Sequence, residues 1–252
     1  MIRATITLLG VALYILLAGP LTILVTKIFK THHFLYNVGR AGARLALFLA
    51  GGKLTVYGIE KIREGQNYIF MPNHQSNVDP VGAFIAIPRD VKAIAKKEFF
   101  KTPLLATACR LERFIPVDRK NHASAVESIE QAIRQLQAGD SFLIYPEGTR
   151  TKTGEMGDFR KGAFVAAIRS KVPVVPVTLD GCYEMMRKGE FKIRPGHVKV
   201  TFHDPIDVTA YSLEDRDELI ERVRAAIVSG LEQKDEAQVQ SPVSRSEGSE
   251  TV

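Results

Sequence analysis

The chain opens on an apolar run and then changes rhythm. From Ala4 to Thr26 no residue carries a charge, and the run is bounded by Arg3 on one side and by Lys27 and Lys30 on the other. As a helix rising ~1.5 Å per residue, these 23 residues reach roughly 34 Å, enough to cross a bilayer core with some tilt. Gly19 and Pro20 argue against a straight span, because they are expected to kink or break the helix after Ala18. A spanning helix and a shallow re-entrant one both fit. A cleaved secretory signal fits less well, since the run is long and ends without a clear A-x-A site. The stretch from Phe34 to Ala50 is apolar on most sides, with Asn37, Arg40 and Arg44 spaced i, i+3 and i+7. Next to an apolar run, that single polar stripe reads as an interfacial helix.

After Lys53 short β-rich runs alternate with helical patterns. Strands are expected at 53–57, 68–71, 91–95, 114–117, 142–145, 172–178 and 198–202, and helices at 78–87, 122–137, 159–170 and 213–231. Such alternation predicts an α/β fold with a largely parallel, mixed sheet flanked by helices. The last stretch, rich in Ser, Glu and Gln and free of aromatic residues, is expected to be disordered. Three segments follow: a membrane-associated helical part (1–50), a globular domain (51–231) and a tail (232–252).

Charge refines this picture. The net charge is +6, and the tail carries five acidic residues against two basic ones, so the basic excess belongs to the folded part. An anionic partner is implied, whether membrane lipid, phosphorylated substrate or nucleic acid. Lys27, Lys30, Arg40 and Arg44 outweigh Arg3, which places the domain on the cytoplasmic side of a membrane. Two cysteines, Cys109 and Cys182, make no disulfide framework and fit a reducing compartment.

Candidate chemistry gathers after predicted strands. Tyr68 to Met71 reads as a buried strand that turns at Pro72-Asn73 and delivers His74, with Asp79 five residues on before a helix led by Pro80. A carboxylate on His Nδ1 would fix the tautomer and leave Nε2 as a general base. Taken alone the spacing favours a capping Asn77 or Asp79 and a structural histidine. A second strand, Phe142 to Tyr145, delivers Glu147, Gly148, Thr149 and Arg150; the arginine fork suits a phosphate, and Glu147 suits an arginine or a substrate hydroxyl. Arg160 and Lys161 stand before a helix whose dipole favours an anion. Arg119 leaves a third strand, and Pro173 and Pro176 suit an edge strand or a bend lining a groove, although a plain core strand is the better reading for most side chains from Val172 to Val177. No nucleotide-binding glycine loop, nucleophile elbow or H-E-x-x-H occurs, so no metal and no nucleotide cofactor is expected. The five other histidines default to structural or surface roles, and Cys109 lies in an apolar stretch.

In combination and order these residues resemble the glycerolipid acyltransferase family, specifically its bacterial 1-acyl-sn-glycerol-3-phosphate acyltransferases. The matching blocks are Asn73 to Asp79, Arg113 to Arg119, Tyr145 to Arg150 and Val172 to Val177, with Ala95 to Phe99 similar to a lysine-bearing segment. Tyr145, Phe99 and Glu112-Arg113 depart from the commoner residues at those places. The resemblance implies that His74, oriented by Asp79, deprotonates the sn-2 hydroxyl of lysophosphatidate, which attacks an acyl-CoA or acyl carrier protein thioester to give phosphatidate. It implies Arg119, Glu147, Gly148, Thr149, Arg150 and Lys161 as the acceptor site, no cofactor beyond the acyl donor, membrane lipids as partners, no nucleic acid, and residence at the cytoplasmic membrane. Another lysolipid acceptor, such as lyso-ornithine lipid or lysophosphatidylglycerol, or a non-catalytic protein binding anionic lipid, are the alternatives.

Overall fold

Two long helices precede the sheet in the computed structural model, which describes residues 1–239. Helix α1 (Ile2–Phe29) passes through Gly19 and Pro20 without a break, one of the two outcomes expected there. Proline deletes a single i→i−4 donation, and the turns on either side carry the ladder on; beside it the Thr22 hydroxyl donates to Ala18 O at 2.7 Å. Helix α2 (His32–Leu49) returns along α1, pinned by Tyr14 OH donating to Val38 O at 2.8 Å. Buried Ala4, Thr7, Thr22 and Thr26 and partly covered Val11, Tyr14 and Ala18 recur every three or four residues and so form one face, with Gly10, Gly19, Ile23 and Val25 beside it. The other face exposes Leu8, Leu9, Leu13, Leu16, Leu17, Leu21, Leu24 and Ile28.

The domain then runs β1 (Gly52–Tyr57), β2 (Ile69–Pro72), α3 (Asp79–Ala86), β3 (Val91–Lys96), α4 (Pro103–Leu111), β4 (Ile115–Val117) and α5 (His122–Gln137). It continues through β5 (Ser141–Leu143), α6 (Lys161–Ser170), β6 (Val174–Asp180), α7 (Cys182–Met185), β7 (Gly196–Phe202) and α8 (Arg216–Val239). The seven strands order as β1-β7-β6-β2-β5-β3-β4. Only β6 and β7 pair antiparallel; β2, β3, β4, β5 and β6 run the same way and leave the sheet at one edge.

Side-chain alternation splits the core into two layers. Phe70, Val175, Val177 and Leu179 face α2 and α3 with Tyr36 and Ala83. Ile69, Met71, Val174 and Phe142 face the opposite side with Ile133, Phe164 and Leu219, from α5, α6 and α8. These side chains are essentially solvent-free, and each Val, Leu, Ile, Phe or Met among them contributes about 1.5–3 kcal/mol of apolar burial. Helix α4, for which no element was expected, lies against α1: a Cβ on Gly19 would come within 2.9 Å of Leu104 Cδ2, so the glycine sets how closely the two approach.

Strand β6, preceded by Pro173 and containing Pro176, is the core strand expected for most of its side chains, central in the sheet and not an edge. Pro176 fits there because its carbonyl accepts from His203 N at 3.0 Å, so its ring nitrogen faces the place where β7 has just ended and no donor is required. The last helix also continues beyond Leu231 to Val239, into the segment expected to be disordered; the rest of that tail, 240–252, lies outside the described residues.

Candidate active site

Strand β2 ends in Pro72 and hands the chain to Asn73, whose side chain stands in for one more rung of the sheet. Its Nδ2 donates to Leu179 O at 2.9 Å, and its Oδ1 accepts from Leu179 N at 2.7 Å. The next residue, His74, is therefore fixed at the strand exit. Its Nδ1 lies 2.9 Å from Asp79 Oδ2, and both side chains are buried, at 8% and 1% exposure. The same carboxylate oxygen accepts the backbone N–H groups of Gln75 at 2.6 Å and Ser76 at 2.7 Å. Asp79 thus closes the loop around the histidine rather than capping α3, whose N-cap, Val78, has no side-chain bond. With Nδ1 engaged, Nε2 is the nitrogen left for a substrate, and His74 lines the adjoining cavity.

The loop after β5 grips the histidine from the other side. Glu147 Oε1 accepts His74 N–H at 2.6 Å and its Oε2 accepts Gly157 N–H at 2.9 Å. Thr151 N–H donates to His74 O at 3.1 Å. Burial lifts the Glu147 carboxyl above its ordinary value, and the two N–H donors pull it part of the way back. Gly148, at φ 69°, closes a turn by donating to Tyr145 O at 3.0 Å. A Cβ there would meet Arg160 Cδ and Nε at 2.7 Å, so the glycine supplies both the left-handed backbone and the room for that arginine. Tyr145 lays its ring against the His74 imidazole, with centroids 4.1 Å apart and planes at 29°.

Beyond His74 opens a cavity of about 1040 Å³. Val81, Phe84, Val91, Ile94, Leu105 and Ile129 form apolar wall, whereas Lys96, Arg119, Arg150, Arg160 and Lys161 bring positive charge. Desolvation, then the like charges of Arg160 and Arg150, lower the Arg119 guanidinium below its ordinary value. Cations that repel one another at a cavity wall are arranged for an anion. Arg150 is aimed by two contacts: its guanidinium donates to Asn77 Oδ1, and its carbonyl accepts from Lys188 Nζ at 2.5 Å.

Comparison with known proteins fits this arrangement. A family profile described as Acyltransferase matches residues 53–180, which include all four motif blocks. The chain belongs to the glycerolipid acyltransferase family. It is 31% identical over 194 residues to the 1-acyl-sn-glycerol-3-phosphate acyltransferase of Cocos nucifera, covering 77% of this chain and 62% of that one. The Limnanthes douglasii enzyme of the same name is 30% identical over 198 residues, covering 76% and 70%. The crystal structure of the 1-acyl-sn-glycerophosphate (LPA) acyltransferase from Thermotoga maritima superposes with a TM-score of 0.82 over 97% of both chains, at 24% identity, a likeness of fold.

Of the residues expected from the family's blocks, His74, Arg119, Gly148, Arg150 and Lys161 converge on the one cavity. Glu147 and Thr149 do not line it. The first is spent on backbone N–H groups, and the second is exposed with its hydroxyl 3.4 Å from Lys188 Nζ. Lys188 was missed, since it lies far along the chain outside any block and its basic charge was the only signal. His122, expected to be structural or at the surface, lines the cavity, and so does Cys109, whose thiol burial pushes up to about 11 and so out of nucleophile range. The other histidines with partners stand away from the cavity: exposed His33 pairs with Asp90 at 2.6 Å, His197 Nε2 meets Thr55 Oγ1 at 2.7 Å, and His203 Nε2 meets Thr178 Oγ1 at 2.8 Å. Among the described residues no cluster of metal-ligating side chains occurs.

Proposed function

We propose that this acyltransferase esterifies the sn-2 hydroxyl of 1-acyl-sn-glycerol-3-phosphate, drawing the acyl group from acyl-CoA or acyl carrier protein and releasing phosphatidate and the free thiol. The observation that carries this reading is the juxtaposition of a buried His74–Asp79 pair with a cavity that is apolar on one part of its wall and lined by arginines on another. His74 Nε2 takes the hydroxyl proton as the oxygen attacks the thioester carbonyl. The tetrahedral adduct collapses with rupture of the C–S bond, and the imidazolium returns its proton to the departing sulfur. Asp79 holds the ring and its charge throughout, and no acyl-enzyme is required. Arg119 and Arg150 neutralise the acceptor phosphate, with Arg160 and Lys161 adding charge.

The substrate is dissolved in a bilayer, and the N-terminal helices bring the enzyme to it. Because α1 is covered along one face from Ala4 to Thr26 and leucine-rich along the other, it lies against the protein and sinks its free face into one leaflet of the cytoplasmic membrane. The test is thiol release by detergent-purified protein from acyl-CoA and from acyl carrier protein donors, with 1-acylglycerol-3-phosphate as acceptor and His74→Ala alongside. Release that needs both acceptor and His74 is expected. Release with another lysolipid alone would reassign the acceptor, and a fully active His74→Ala would remove the general base.

A further inference from the structure

The aromatic ring stacked on His74 belongs to no step described so far. We propose that Tyr145 is the positioning residue of the base, its ring fixing the imidazole plane and stabilising the imidazolium that forms as His74 takes the hydroxyl proton. This rests on the general-base reading of His74 given above. A ring centroid 4.1 Å from the imidazole, nearly parallel to it, is within the range where an aromatic face attracts a cation. The site is buried, which is where such attraction is strongest, since water does not compete for the charge. Neutral imidazole gains little from that face; imidazolium gains more. The contact is therefore stronger once the proton has moved, and so it favours the transition state over the ground state.

The phenol oxygen adds nothing visible. It is buried, and among the described residues it has no hydrogen-bond partner. Burial, then Asp79 and Cys182, push the phenol well above its ordinary value, so the ring is neutral and acts through its face. The other groups around His74 are accounted for: Asp79 holds Nδ1, Glu147 holds the backbone N–H, Cys182 lies buried with its thiol raised by burial and by Asp79, and Arg119 and Arg150 stand across the cavity. Asp79 holds the edge of the imidazole and Tyr145 is the added support on its face.

The experiment is the pH dependence of kcat/KM for thiol release by the full-length protein with Tyr145→Phe, Tyr145→Met and His74→Ala. Tyr145→Met is expected to lose roughly tenfold in kcat/KM with little change in acceptor KM. Its acid limb should move to lower pH, because a histidine deprived of that support loses its proton more readily. Tyr145→Phe should restore both rate and limb. A folded Met variant with the wild-type limb, or a Phe variant as impaired as Met, overturns the inference. If the Met variant does not fold, fluorinated phenylalanines at 145 keep the shape while draining the ring face; a rate that fails to fall with fluorination overturns it equally. Loss of activity in His74→Ala with flat responses at 145 sinks this inference alone, whereas an active His74→Ala sinks the base as well.

Discussion

The backbone N–H of His74 donates to Glu147 Oε1 at 2.6 Å, so the loops that carry two of the family's four blocks are one hydrogen-bonded unit. The glutamate's other oxygen holds Gly157 N–H. Its role is thus to place the histidine, and Glu147→Ala should destabilise the domain by about 2 kcal/mol through two lost charge-assisted bonds, with part of the loss offset by relief of carboxylate burial. In kinetics kcat should fall more than acceptor KM rises, and Glu147→Gln should be milder on both counts. Thermal unfolding of the purified protein and a Michaelis analysis check this; an unchanged melting temperature with only KM affected would return Glu147 to substrate binding.

The arginines should behave differently. Arg150→Ala removes a planar fork aimed by Asn77 and Lys188, and a lost bond to a charged group is worth about 1.5–3 kcal/mol. Acceptor KM is expected to rise by roughly 10- to 100-fold while kcat at saturation changes little. Arg150→Lys should recover only part, because an ammonium lacks the fork. An unchanged KM in Arg150→Ala would count against a phosphate at this wall.

Gly148 supplies a more local test. Alanine at φ 69° costs about 1–2 kcal/mol, and its Cβ would press on Arg160. Gly148→Ala is therefore expected to lower the melting temperature and raise acceptor KM together. In a double-mutant cycle with Arg160→Ala the two KM effects should be less than additive, since the first change already displaces the second side chain. Strict additivity would mean that Gly148 serves the backbone alone.

How far the sequence foretold this site depends on the kind of signal. Strand exits were legible because apolar runs such as Tyr68 to Met71 stop at a proline, and the parallel order then forces His74, Glu147 and Arg119 to one edge. Helix α5 matches its expected bounds, with Asn121 Oδ1 accepting Ser124 N–H as its cap. What Glu147 does was not legible, since a carboxylate in a loop has the same sequence signature whether it meets a substrate or two backbone N–H groups. Pro176 left its strand's place in the sheet open, because a proline's tolerance depends on which neighbour has ended, a fact of the sheet and not of the segment. Lys188 could not be foreseen, as it reaches Arg150 from a stretch of chain without any motif.

Glu112 gives the fold a pH dependence of its own. Its side chain is 8% exposed and lies 3.7 Å from Lys92 Nζ, and burial raises its carboxyl to about 6 despite that lysine. The folded state therefore holds the proton more tightly than the unfolded chain, whose ordinary value is 4.5. Between these values the native state binds more protons, so stability falls as pH rises, by up to about 2 kcal/mol, and the loss is complete above the folded value. Glu112→Gln cannot titrate and should abolish this slope. The check is the difference in unfolding midpoint between wild type and variant from pH 4.5 to 7; parallel curves would remove Glu112 as the titrating group.

Helix α1 admits two membrane geometries that length alone does not separate. A helix lying in one leaflet, as proposed for α1, has both ends on the side where the domain sits, whereas a spanning helix has them on opposite sides. Cysteines placed singly at Ile2 and Phe29, both exposed, report the difference, because the native Cys109 and Cys182 are buried. With protein bound to preformed vesicles, an impermeant maleimide outside should label both positions alike. Protection of residue 2 alone would establish a span. Leu13→Ser and Leu17→Ser on the free face should weaken vesicle binding without changing thiol release in detergent, because these side chains contribute apolar area to the lipid contact and none to the cavity.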